Sequence, residues 1–295
     1  MNDSDYPKLF IEADKFSIES QNSFLRKVWF NGLLGLVSAV LTLVGDINKI
    51  WALLSILLIL FLTISVWILV EEKEEKLWYK GRALAESIKS LTWKYMIGGE
   101  PFTFSVSKED IDKDFIEKCK SLREEHKDLF GQIQTQNSLE IITSEMRRVR
   151  ALSFKDRADY YLKNRIMPQC DWYTQKAEYN RKCSKFWSSV VKISLVFALI
   201  LAFSKVFFPC KYYPIEILLL IASFAFTWMQ VKKFNELGSA YSLTAHEITD
   251  VKTLMESVIA ANDNVKFSEF ISDAENVFSR EHTQWLARRD MLNNS

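Results

Sequence analysis

From Trp51 to Val70 the chain runs for 20 residues without a charged side chain, and the next six residues, Glu71 to Lys76, are all charged. About 20 apolar residues, each rising about 1.5 Å, cross the hydrocarbon core of a bilayer. Inside hydrocarbon every backbone N–H and C=O must be satisfied within the segment, which leaves a helix. Three further stretches read the same way: Val28–Val44, Phe186–Phe208 and Ile215–Val231. The linkers Gly45–Ile50 and Pro209–Pro214 are long enough for tight turns alone, so the four spans pair as two hairpins. A buried core helix is the competing reading, and the lack of charge on every face of Trp51–Val70 argues against it. A secretory signal is excluded because polar residues precede the first stretch, no small-residue cleavage site follows it, and a second span comes at once.

The fold class follows. Eight glycines and five prolines in 295 residues leave little material for glycine-rich phosphate loops or turn-rich β-folds. The expectation is an all-α membrane protein, with four transmembrane helices as two hairpins continuing into a long-helix cytoplasmic bundle. Lysine and arginine near the span ends set the orientation. Arg26, Lys27, Lys73, Lys76, Lys80, Arg181, Lys182, Lys185, Lys232 and Lys233 fall on one side, against Lys49 and Lys211 on the other. Both termini and the long middle segment are therefore expected in the cytoplasm. There Cys119, Cys170 and Cys183 stay reduced. A net charge of +1 provides no steering of nucleic acid.

Sliding the chain on itself by about 157 positions lays the first hairpin over the second, with Gly81 on Gly238 and Ala83 on Ala240. A shift longer by one pairs Trp29 with Trp187 and Asn22 with Asn180. This predicts duplication of a two-span module, pseudo-twofold or tandem. The first module covers 1–106, with a cytoplasmic helix at 71–97. An inserted helical segment covers 107–146, and the second module covers 147–295, with cytoplasmic helices at 232–262 and 268–290. Leu77, Gly81, Leu84, Ile88, Leu91 and Tyr95 recur three and four apart, as do Leu237, Tyr241, Thr244, Ile248, Val251, Met255 and Val258. That is the spacing of packed helices, within one chain or between subunits. These helices are expected to continue the spans as a stalk. Ser107 caps a helix running to Gly131. A second helix runs from about Ser138 to Met167 and ends before Pro168, and Ser268 caps the last one. Phe102–Val106 is expected as an extended connector.

Catalytic patterns are lacking. His126, His246 and His282 are far apart and lack ligands at metal spacing, and no Ser-His-Asp set, Walker loop or dinucleotide fingerprint occurs. The chain is expected to be non-enzymatic, with no metal and no cofactor. Arg150, Arg157, Tyr161, Arg165, Gln169, Trp172, Tyr173 and Lys176 form the most suggestive group, a polar and aromatic stripe on one helical face. Arginine forks suit carboxylates or phosphates, and aromatic faces suit bases or guanidiniums. The stripe is a candidate site for a signal or partner. The plainer alternative is an interhelix network with glutamates such as Glu86, Glu247, Glu275 and Glu281. Lys192, Lys205 and Glu216 place charge inside the apolar stretches, where it is costly unless paired or wet. Lys192 can snorkel, while Lys205 and Glu216 could pair across the hairpin or line an aqueous path. Gly32, Gly35 and Ala39 in span one, and Ser194, Ala198 and Ala202 in span three, offer small-residue faces for close helix packing.

The run from Arg157 through Tyr161, Arg165, Gln169, Trp172 and Tyr173 to Lys176 precedes a two-span hairpin. Together with a terminal helix carrying Arg280, Glu281, His282 and Trp285, it resembles the SLATT superfamily. These are two-transmembrane effector domains associated with nucleotidyltransferases and SLOG sensor proteins. The likeness is best from roughly Arg147 to Arg288, and the first half looks like a divergent copy. The resemblance implies a prokaryotic conflict system: a homo-oligomeric effector that permeabilises the inner membrane when a co-encoded nucleotidyltransferase or other sensor delivers a signal, such as a nucleotide second messenger. A non-conducting scaffold that anchors a soluble partner is the alternative.

Overall fold

The structure is a computed structural model of the chain. It describes residues 1–45, 49–105, 107–131, 140–208 and 213–293, and the side chains of residues 3, 44, 45 and 279–293 lie outside the described part. Among the described residues there is no strand. The helices are α1 (Lys8–Gly45), α2 (Lys49–Glu71), α3 (Glu74–Ile97), α4 (Lys108–Glu125), α5 (Lys127–Phe130), α6 (Ser144–Arg150), α7 (Phe154–Tyr161), α8 (Met167–Phe207), α9 (Ile215–Lys232), α10 (Phe234–Ala261) and α11 (Asn264–Asn293). A π-helical turn, Leu162–Ile166, joins α7 to α8. Four of the helical stretches are long and apolar enough to cross a membrane, in the order the sequence predicts.

Entry and exit helices differ in continuity. α1 and α8 run unbroken for 38 and 41 residues. The expected continuation of the returning spans is interrupted. α2 stops at Glu71 and α3 restarts at Glu74, within the six consecutive charges. Lys27 draws this break together, donating to Glu72 and to Glu74 Oε1 at 3.0 Å, and Ser23 Oγ donates to the same oxygen at 2.7 Å. α9 ends at Lys233, whose φ of 49° is left-handed and turns the chain out of the helix.

The chain divides into two compact units. The first comprises residues 1–21, 75–175 and 240–295, and it has an aromatic-rich core. Trp93, Tyr95, Phe102, Phe115 and Tyr161 are fully enclosed, with Ile248, Met255 and Ile271 beside them. Trp93 Nε1 donates to Tyr6 Oη at 3.0 Å, which satisfies the indole inside the core. Leu84, Ile88 and Tyr95 of α3, and Thr244, Ile248 and Met255 of α10, are buried. Their three-and-four spacing therefore serves packing within this chain.

The second unit comprises residues 22–74 and 176–239 and holds the spans. Trp29 lies edge-on to Trp187 with ring centroids 5.9 Å apart, and it also meets Phe224 and Trp228, each at 5.0 Å. Trp29 and Trp187 are the residues that the repeat equates. The repeat's glycines are equivalent too. A Cβ on Gly81 would stand 3.2 Å from Ser17 of α1, and one on Gly238 would stand 3.3 Å from Arg181 of α8. In each copy the exit helix approaches its entry helix at a residue without a side chain.

Several boundaries differ from the sequence reading. Ser107 caps α4 as expected, its Oγ accepting from Asp110 N at 3.3 Å, but the helix breaks at His126 before α5. The single helix expected over Ser138–Met167 is two. Ser153 opens α7, accepting from Asp156 N at 3.3 Å, because the Ser-x-x-Asp box offers a second start. Pro168 does not end a helix: it directly follows the π turn Leu162–Ile166, and helical backbone runs on through both from α7 into α8. α11 starts at Asn264 and not at Ser268. Asp263 Oδ1 accepts from the amides of Val265 (2.9 Å) and Lys266 (3.3 Å), and Ser268 is buried. Of Phe102–Val106, Val106 lies outside the described residues and the remainder turns rather than extends.

Candidate functional site

The eight-residue stripe does not stay on one surface. It is dealt out over α6, α7, the π turn and α8, and the π turn adds a residue to the helical repeat just where Arg165 lies. Arg150, Arg157, Tyr161, Arg165 and Tyr173 are buried, Gln169 and Trp172 are half-buried, and Lys176 is exposed.

Arg165 and Tyr161 are taken up by one carboxylate. Glu275 of α11, fully enclosed, accepts from Arg165 Nε at 3.0 Å, from Arg165 Nη2 at 2.8 Å and from Tyr161 Oη at 2.8 Å. This two-pronged pair matches the planar guanidinium to the carboxylate. The Arg165 guanidinium also lies 4.6 Å from the Phe278 ring centre. Burial opposes the Arg165 charge, but Glu275 more than offsets it, and the pKa stands above its ordinary value. Burial, then the Glu275 charge, drives the Tyr161 phenol well above 10. At this end of the stripe the interhelix network with Glu275 holds, and the two residues are not free for a ligand.

Arg150 and Arg157 are different. Arg150 donates to the carbonyls of Tyr95, Phe102 (3.0 Å) and Thr103 (3.5 Å), clamping the connector after α3. Arg157 donates to Leu152 O at 2.9 Å, and its buried Nε has no partner among the described residues. Both guanidiniums lie against Phe104, 4.5 and 3.9 Å from its ring centre. Neither forms an ion pair with a described carboxylate. The nearby Asp112 is held by Arg147 Nη1 at 2.6 Å and by Tyr95 Oη at 2.5 Å. Burial, then the charge of Arg150, pulls the Arg157 pKa down to about 10.

The rest of the stripe is structural or exposed. Trp172 packs edge-on and Tyr173 tilted against Tyr241, centroids 5.5 and 5.6 Å away. Lys176 stands beside the Tyr179 ring. Arg280, Glu281, His282 and Trp285 lie on α11, but their side chains fall outside the described residues. Lys192, Lys205 and Glu216 are all exposed. Ser194 and Ala198 are buried as a packing face should be, whereas Ala202 is exposed, because the interhelix face of α8 ends one turn earlier. Gly32 is the tightest of the small residues: a Cβ there would stand 1.9 Å from the Phe224 ring. Gly35 and Ala39 are half-buried.

Sequence reasoning missed Phe104 and named Glu275 merely as one acid among four. Phe104 carries no periodic signal, since it lies in a connector. Glu275 could have been singled out as the one charge among the apolar face residues Ile271, Ala274 and Phe278.

Two family descriptions match the chain. "SMODS and SLOG-associating 2TM effector domain 3" matches residues 7–158, a stretch that includes the segment from Ser107 to Gly131. "SMODS and SLOG-associating 2TM effector domain 1" matches residues 161–285. No curated protein and no solved structure matches the chain.

Proposed function

Because the chain belongs to the SLATT family, with two of its two-transmembrane effector domains in tandem, we propose that it oligomerises in the inner membrane, both termini cytoplasmic, and permeabilises that membrane on a signal from a partner protein. SLATT domains are membrane effector domains associated with conflict systems, so an antiviral setting, with a co-encoded nucleotidyltransferase or other sensor as the partner, fits this reading.

One observation carries the proposal. Between 6% and 11% of the most apolar window of each span is buried within the chain, which leaves long apolar faces for lipid or for further copies. On those faces Lys192, Lys205 and Glu216 point outward. Charge on a lipid-facing surface is expensive unless water or another protein surface covers it. Assembly of several copies around these residues gives them both.

The test is release of a trapped dye from liposomes carrying the chain, alone and with the protein encoded next to it. Release that depends on the partner and falls when Lys205 and Glu216 are both replaced by alanine supports the proposal. Liposomes that stay sealed under both conditions reject permeabilisation and leave a membrane anchor for the partner.

A further inference from the structure

We propose that Arg157 and Arg150, with the Phe104 ring lying against both, form a binding site for a phosphate-bearing anion. The argument begins with cost. Arg157 is 6% exposed and Arg150 8%. A guanidinium cannot shed its proton, so burying one without a counter-charge is unfavourable, and burying two side by side is worse. Elsewhere in the same unit the chain answers such a charge with a carboxylate, as Arg165 shows with Glu275, although Arg165 Nη1 too has no partner among the described residues. At Arg157 it supplies one carbonyl and an aromatic face and no carboxylate; the charge of Asp112 reaches Arg150, but its oxygens are bonded to Arg147 and Tyr95. Residues that break the local rules of burial without compensation are where a ligand is expected to complete the structure.

The two arginines divide the work. Arg150 spends its N–H groups on three carbonyls and fixes the connector, so it contributes charge. Arg157 keeps Nε unbonded, so it contributes the donor fork. The reduced pKa of Arg157 arises from burial and from Arg150, and an anion would relieve both. Two adjacent cations suit a doubly charged phosphate better than a single carboxylate, and the fork matches two phosphate oxygens. Phe104 lies over both guanidiniums. It is 45% exposed on a turn, with Gly98 beneath its ring.

The experiment uses the full chain in zwitterionic micelles, titrated calorimetrically with inorganic pyrophosphate and melted with and without it. Saturable binding is expected, with a higher Tm in its presence. Arg157→Gln should weaken binding by roughly tenfold or more. The same variant should melt no lower than the parent without ligand, because it removes an unpaired charge. Phe104→Ala, at an exposed position, should stay folded and shift the affinity several-fold. The site is rejected if the parent chain shows no saturable binding, if Arg157→Gln binds unchanged, or if Arg157→Gln melts far below the parent, which would make Arg157 a structural strut. Succinate binding as tightly as pyrophosphate rejects the phosphate assignment. Repeating the titration in bicelles with and without phosphatidylglycerol identifies the source: competition by the lipid assigns the phosphate to a headgroup, and indifference assigns it to a free ligand. Binding is read without a leakage assay, so failure here and failure of permeabilisation are separate results.

Discussion

Replacing Glu275 by leucine tests how the core of the first unit is held. The carboxylate is fully enclosed, and Arg165, 2% exposed, delivers two of its three hydrogen bonds. Leucine fills similar space but strands the Arg165 charge, which cannot be neutralised by losing a proton. Breaking a buried pair in this way costs about 3–5 kcal/mol. At roughly 2–4 °C per kcal/mol for a unit of this size, Tm should fall by about 6–20 °C. Glu275→Gln keeps an acceptor for Tyr161 and should fall by less. The triple variant Tyr161→Phe, Arg165→Met, Glu275→Leu removes every polar partner at once and should recover most of the loss, since apolar replacement of a whole buried triad is often neutral or better. Melting followed by circular dichroism at 222 nm on the detergent-solubilised chain reads all three. If Glu275→Leu melts within about 2 °C of the parent, or the triple variant melts as low as the single one, the pair is not what holds α11 in this core.

Three more outcomes are expected. Gly32→Ala sets a methyl group inside the Phe224 ring volume and should destabilise by about 1–3 kcal/mol through overpacking; adding Phe224→Leu should restore the melting temperature, and failure to do so would refute close packing there. Burial pushes the Cys119 thiol from its usual 9 up to about 12. Its folded pKa is therefore raised: the stability it contributes is complete below pH 9 and is lost as pH climbs towards 12. In a chain whose other three cysteines are serine, it should resist maleimide at pH 8 until denaturant is added. Lys233 adopts a left-handed φ of 49°, so Lys233→Gly should raise stability and Lys233→Ile lower it, each by about 1 kcal/mol, as measured by thermal melting.

What could be read from sequence was whatever chemistry is local. A run of 20 uncharged residues needs no tertiary knowledge to be placed in lipid, and the spacing of Leu84, Ile88 and Tyr95 marks a buried face wherever the partner helix comes from. The Ser-x-x-Asp box at Ser153 is equally local and marks the start of α7. The stripe was a different matter. From Arg157 to Gln169 its residues are four apart in sequence, yet the partner that decides the role of Arg165 lies 110 positions away, and the ring against Arg150 and Arg157 comes from a connector with no pattern. A single sequence can name residues fit for an anion. Whether a glutamate has already claimed them is decided by packing.

The duplication also bears on how the two hairpins share the work. Several polar groups of spans one and two turn inward: Asn31, whose two side-chain polar atoms have no partner among the described residues, Ser38 and Ser55 are buried, and Ser38 and Ser55 bond carbonyls of their own helices at 2.8 Å. Groups so satisfied ask nothing of a neighbour. In spans three and four, Lys192, Lys205 and Glu216 are exposed and still need water or protein around them. Among the four apolar stretches, charge thus occurs in the second hairpin alone, and there it is exposed. On the assembly proposed above, contacts between copies, and any aqueous path they enclose, would therefore run along the second hairpin, to which the first is packed through Gly32 and Phe224.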